Sequence, residues 1–299
     1  MKVFIGNYTG ICNHLESVIL AFAIRERFGH QVWLDWPELD AFSIESTQVG
    51  PRRFFHRFNG INYRGNNESE FETLGRYRHI DIRGMYGAPP ALLDAQLERV
   101  VTRIRLHSSL AQQIRDFFAT IKKPVVGVHI RRGDFKVDPQ RKLRHAATSD
   151  TDLIFTLEQL SQRFPDTVFL LSYTGRAEDY RFLFDRFDCV TLPIATPYRH
   201  HGPTQASEKH PIADLFALAC CTSIVVTPRS SFSHWAANCL GAASTCIVPA
   251  ISAGARAPAL LAKRFGRCRL PIFMEEPWQT DPTHTRPLPA PTAPITDWL

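Results

Sequence analysis

Within six positions the sequence sets His129, Arg131, Arg132 and Asp134, at the end of the apolar run Val125-Val126-Gly127-Val128. Each guanidinium is a planar fork that donates two parallel hydrogen bonds to a phosphate or carboxylate, so an adjacent arginine pair suits a pyrophosphate. Asp134 can engage one fork and leave the other for a ligand. A second group is Ser230, Ser231, Phe232 and Ser233, at what reads as the start of a helix. There, hydroxyls and free backbone amides can take phosphate oxygens. Asp214 opens a short apolar helix upstream, and Gly10 and Asn13 lie in a polar turn before the first helix. The seven cysteines are scattered without CxxC or Cys/His metal spacing, and they read as reduced small hydrophobes.

Strands and helices in alternation must position these groups. Lys2 to Ile5 reads as a strand, His14 to Phe28 as a helix stopped at Gly29, and Gln31 to Leu34 as the next strand. Leu92 to Ile121 has helical spacing that Ser108 and Ser109 divide, and the valine run from Val125 reads as a buried parallel strand. A helix from Asp152 to Phe164 capped by Thr151, a strand from Thr167 to Tyr173, a helix from Asp179 to Phe187 and a strand from Cys189 to Leu192 follow. Next come a helix over Asp214 to Cys221, a strand over Ser223 to Val226, a helix over Ser230 to Leu240 and a strand over Thr245 to Pro249. Residues 254–270 suggest one more helix, and the proline-rich end reads as an extended tail that need not pack. The alternation is that of an α/β, doubly wound chain, whose ligands sit outside the carboxyl ends of parallel strands.

The run His129-Ile130-Arg131-Arg132-Gly133-Asp134 resembles the HxRRGD motif of the fucosyltransferase superfamily, which includes α1,2-, α1,6-, protein O- and Nod-factor fucosyltransferases. Thr9 to His14 is similar to that superfamily's glycine loop, with Cys12 and His14 departing from it. Asp214 with the helix after it, and Ser230 to Ser233 continued by Trp235-Ala236-Ala237, resemble its C-terminal motif. The resemblance implies a GT-B fold of two facing Rossmann-like domains: an acceptor-side domain over 1–122 and a donor-binding domain over 123–275, with a tail over 276–299. It further implies inverting, metal-independent transfer of fucose from GDP-fucose to a glycan hydroxyl, with GDP-fucose as donor substrate and no cofactor. Arg131 is then the catalytic arginine and Asp138 a candidate base. Gly10, Asn13, His129, Arg131, Arg132, Asp134, Asp214, Ser230, Ser231, Phe232 and Ser233 are then the donor-binding residues. D-x-D, the usual metal handle for nucleotide sugars, is expected to be absent, in agreement with metal independence. Another GT-B transferase with a different nucleotide sugar, or a binding module without turnover, remains an alternative at this stage.

Composition sets the outer bounds. With 299 residues, 44% hydrophobic and 21% charged, the chain can bury the cores of two domains. Its net charge of +6 favours anionic ligands, but no Lys/Arg block marks a nucleic-acid arm. No apolar run reaches the roughly 20 residues of a membrane span, and no signal peptide is legible, so a cytoplasmic location is expected.

Overall fold

A computed structural model describes residues 1–50, 60–64, 68–84, 88–132, 136–137, 146–194, 210–227, 230–242, 244–249, 270–273 and 288–299. It divides into two compact units, Met1–His107 and Ser108–Leu299.

In the first unit β1 (Lys2–Gly6) leads through a short turn into α1 (Ile11–Phe28) and back into β2 (Gln31–Asp35). β3 (Phe42–Ile44), β4 (Gln48–Val49), β5 (Gly60–Tyr63), α2 (Glu68–Thr73), β6 (His79–Ile82), α3 (Pro90–Val101) and β7 (Ile104–Leu106) follow. The main sheet is parallel, in the order β4-β2-β1-β6-β5, while β3 and β7 form a separate antiparallel pair. From Val18 to Ile24 every side chain of α1 is buried. A helix apolar on all sides must be covered by sheet and helix alike, and α1 lies against β1 and α3. Gly29 ends it with φ of 75°, a left-handed turn open to glycine, and its N–H returns to the Arg25 carbonyl.

The second unit carries α4 (Ser108–Ala119), β8 (Val125–Ile130), β9 (Lys136–Val137), β10 (Ala146–Ala147), α5 (Asp150–Arg163) and β11 (Val168–Tyr173). After these come α6 (Arg181–Phe184), β12 (Cys189–Val190), α7 (Pro211–Cys220), β13 (Ser223–Val225), α8 (Ser231–His234), β14 (Thr245–Val248) and β15 (Leu270–Phe273). Its six-stranded parallel sheet runs β12-β11-β8-β13-β14-β15. Leaving aside the small β9–β10 pair and numbering these strands along the chain, the order is 3-2-1-4-5-6, that of a dinucleotide-binding sheet. Its switch point falls between β8 and β13.

Side-chain alternation along β8 assigns its two faces. Val126, Val128 and Ile130 share a core with Leu153, Leu157 and Leu160 of α5. Gly127 turns to the other face, where a Cβ would stand 2.8 Å from Leu218 Cδ2. The glycine in the valine run is therefore what lets α7 lie close on β8.

The structure corrects several boundaries. The cap of α5 is Ser149, whose Oγ accepts the Asp152 N–H at 3.0 Å, rather than Thr151. Such a cap is worth about 1 kcal/mol. The helix expected over Asp179 to Phe187 is a 3-10 turn, Ala177–Tyr180, followed by the short α6. The helix over Ser230 to Leu240 is α8 continued by a π-turn over Trp235–Cys239. The chain end, which need not have packed, does so: Val125 N–H donates to Thr292 O at 3.2 Å, Ile295 N–H to Cys220 O at 2.8 Å, and Trp298 stacks on Phe216. Cys246 is disulfide-bonded, against the expectation of reduced cysteines throughout. The helix expected over 254–270 lies outside the described residues.

Candidate active site

The C-terminal edge of the second sheet, on the side covered by α7, collects the motif residues. His129 and Ser172 are partners in the β8–β11 register, so both point to that side. The His129 ring is sealed from water, stacks on Phe232 with centroids 4.8 Å apart, and its Nδ1 meets Ser233 Oγ at 2.7 Å. Ser233 Oγ also accepts the Thr227 N–H at 3.0 Å, so one hydroxyl joins the ring to the strand end. Burial, reinforced by the Arg131 charge, pushes the His129 pKa down to about 3, so the ring is neutral.

Alternation continued one step past Ile130 sends the two arginines to opposite faces. Arg132 turns toward α5, where its guanidinium donates to Thr148 O at 2.5 Å and pairs with the Asp150 carboxylate. Arg131 keeps to the His129 side, and its backbone N–H donates to Thr227 Oγ1 at 3.1 Å. The guanidinium-holding role expected of Asp134 is filled for Arg132 by Asp150; Asp134 and Asp138 themselves lie outside the described residues.

Asp214 is buried in the first turn of α7 and accepts a 2.9 Å hydrogen bond from Ser172 Oγ. Ser230 is the N-cap residue of α8, with Ser231 and Phe232 partly open and Ser233 closed off. Gly10 and Asn13 belong to the first unit. Gly10 caps α1, and a Cβ on it would meet no protein atom within 4 Å. Asn13, expected in the turn before the helix, instead lies inside α1 and donates from Nδ2 to Thr9 Oγ1 at 2.9 Å. His14 Nε2 accepts the N–H groups of Tyr8 and Thr9, each at 3.3 Å, and the ring stacks on Trp36. Burial lowers its pKa to about 4.

Ser172, Thr227 and Asp150 were not singled out from the sequence. Ser172 could have been, as the one small polar residue in the run from Val168 to Tyr173; Thr227 simply follows a strand and carries no such mark. The letters D-x-D do occur, at Asp150-Thr151-Asp152, against the expectation that no such pair would be found. Asp150 is taken up by Arg132 and the Asp152 amide by the Ser149 cap. No cluster of three or more His, Cys, Asp or Glu arranged to hold a metal occurs among the described residues. Burial pushes the Cys189 thiol up to about 12 and raises those of Cys220 and Cys221 as well, far from the thiolate that nucleophilic work needs.

A Rossmann sheet whose switch point gathers a buried histidine, a serine-rich helix start and a buried carboxylate, preceded by a second parallel α/β unit, is the GT-B glycosyltransferase architecture. Residues 100–257, more than half of the chain, match glycosyl transferase family 11, and the chain belongs to that family. Among solved structures it is similar to POFUT1 in complex with GDP-fucose, with 10% identity over 84% of this chain and 98% of that one, at a TM-score of 0.55. It is also similar to a mutant of FUT1 from Arabidopsis thaliana in complex with GDP, with 9% identity over 85% and 71% and a TM-score of 0.53. The fucosyltransferase NodZ from Bradyrhizobium aligns at 15% identity over 80% and 92%, with a TM-score of 0.50. No curated protein sequence matches the chain.

Proposed function

We propose that the protein transfers fucose from GDP-fucose to a hydroxyl of a glycan acceptor, with inversion at the anomeric carbon and without a metal ion. The observation that carries this reading is the meeting of the two motifs at the switch point of the second sheet, where His129 is bonded to Ser233 and stacked on Phe232. The GDP-fucose named in the POFUT1 structure and the GDP named in that of FUT1 support the choice of donor.

In this reading the second unit takes the donor and the first the acceptor. Asp214 accepts hydrogen bonds from the guanine edge, and the hydroxyls and amides of Ser230 and Ser231 hold phosphate oxygens, with Phe232 beside them. As the acceptor oxygen bonds to the anomeric carbon, the bond from that carbon to the β-phosphate oxygen breaks. Negative charge then grows on the departing diphosphate. The Arg131 guanidinium takes it up, the kind of electrostatic stabilisation that carries the largest share of many barrier reductions. Arg132, tethered by Asp150, adds positive potential from the α5 side. Asp138 is the proposed acceptor of the hydroxyl proton, Asp134 a partner of the arginine pair, and Gly10 and Asn13 the first unit's contribution to the donor. No described helix is long and apolar enough to cross a membrane, and a cytoplasmic site of action is part of the proposal.

A thermal-shift screen against GDP-, UDP-, ADP- and TDP-sugars, with and without Mg²⁺, followed by assay of GDP release, tests the reading. Stabilisation by guanosine nucleotides without added metal is expected. A protein indifferent to them, or responsive only once Mg²⁺ is supplied, sinks it.

A further inference from the structure

On the β13 side, β8 runs out of backbone partner before it reaches Arg131. The register pairs Val225 with Val128, which places residues 226 and 227 opposite His129 and Ile130. The β13 ladder stops at Val225, and the Val226 N–H already serves β14 through the Ile247 carbonyl at 2.9 Å. A parallel rung opposite Ile130 consists of two bonds: a donor to the carbonyl of the residue before it and an acceptor for the N–H of the residue after it. Thr227 makes both with its side chain. Its Oγ1 donates to His129 O at 2.7 Å and accepts Arg131 N–H at 3.1 Å. Its backbone N–H, released from ladder duty, turns to Ser233 Oγ at 3.0 Å and so ties the start of α8 to the same point.

We infer that Thr227 is a positioning residue for the transfer reaction: its hydroxyl stands in for one strand residue, extends the sheet by a rung, and so fixes the backbone from which the Arg131 guanidinium reaches the donor phosphate. Thr227 is almost wholly buried, so no water replaces the hydroxyl when it is lost. The inference rests on the reading of Arg131 as the residue facing the leaving diphosphate, and the experiment has an arm that does not.

The variants are Thr227→Val, which keeps the shape and removes the hydroxyl, and Thr227→Ser, which keeps the hydroxyl. Both retain the backbone N–H that bonds Ser233. With GDP-fucose, kcat of Thr227→Val falls roughly 10- to 100-fold, the scale of a misplaced reacting group, while acceptor KM changes little. Thr227→Ser recovers most of kcat. Independently of turnover, hydrogen exchange at the Arg131 amide is at least about tenfold faster in Thr227→Val than in the wild type or Thr227→Ser. Melting temperatures of all three report whether the fold persists; if Thr227→Val does not fold, Thr227→Cys takes its place. A kcat unchanged in Thr227→Val, equal losses in Val and Ser, or an Arg131 amide indifferent to the hydroxyl overturns the inference. Should the wild type turn over no GDP-fucose, the functional reading fails by itself, and the amide exchange still decides whether the rung exists.

Discussion

Ser172 on β11 donates its hydroxyl to Oδ2 of Asp214 on α7 across 2.9 Å, and both side chains are almost sealed from water. A buried carboxylate is costly unless its lone pairs are satisfied, so the bond fixes the rotamer of Asp214. If that carboxylate reads the guanine edge, Ser172→Ala leaves it less well aimed. A hydrogen bond to a charged group contributes about 1.5 kcal/mol, which is about tenfold in affinity. Calorimetric titration with GDP should therefore show roughly a tenfold weaker Kd, with kcat at saturating donor close to the wild type. An unaltered Kd would remove Ser172 from donor recognition.

Arg131 and Arg132 are neighbours with different surroundings. Arg132 is tied to Thr148 and Asp150, whereas the Arg131 backbone is set by Thr227. Arg131→Ala should lower kcat by at least roughly 10²-fold, on the scale of losing one oxyanion donor, with circular dichroism and melting unchanged. Arg131→Lys should recover little, because an ammonium lacks the planar fork. Turnover near that of the wild type in either variant would refute the assignment.

What could be read from the sequence was what local pattern encodes. β1, α1, β8 and β11 were legible because a β-branched or apolar run with a glycine stop admits one reading. β7 was hidden because Ile104 and Leu106 also fit the helical spacing on either side, and pairing with β3, distant in sequence, decides it. The motif residues His129, Arg131, Asp214 and Ser233 were found as a set of letters. Thr227 and Ser172 were not, since their roles come from register and from a helix crossing a strand. The docking of the chain end was not legible because prolines argue against regular structure and say nothing of what an extended segment lies on.

Docking of residues 288–299 makes its own prediction. The tail gives Thr292 O to the first residue of β8 and Leu299 O to Arg115, and Trp298 lies on Phe216 of α7 with rings 19° from parallel. An aromatic pair contributes about 1 kcal/mol beyond its buried area, so Trp298→Ala should lower Tm by about 2–4 °C. Deletion of 288–299 should lower it further and weaken GDP binding, because α7 carries Asp214. Scanning calorimetry decides; a truncated chain that melts with the intact one would show the tail to be dispensable.

Acid should destabilise the protein before its carboxylates titrate. His14 is held neutral by burial, with its pKa lowered to about 4, and His129 by burial and the nearby Arg131, with its pKa lowered to about 3, both from an ordinary 6.5. Below about pH 6.5 the unfolded chain takes a proton on each ring while the folded chain does not, so the unfolded state binds more protons. Stability is therefore complete above that pH and falls as pH drops toward 4, with a slope of up to about 1.4 kcal/mol per pH unit for each ring. His14 Nε2 accepts two backbone N–H groups, a role that a protonated ring cannot fill, so its protonation also breaks the turn before α1. Urea unfolding at pH 7.5, 6.0 and 5.0 should show this decline, and His14→Gln should reduce the slope by about one proton's share. A stability independent of pH over that range would mean that neither ring is held neutral by the fold.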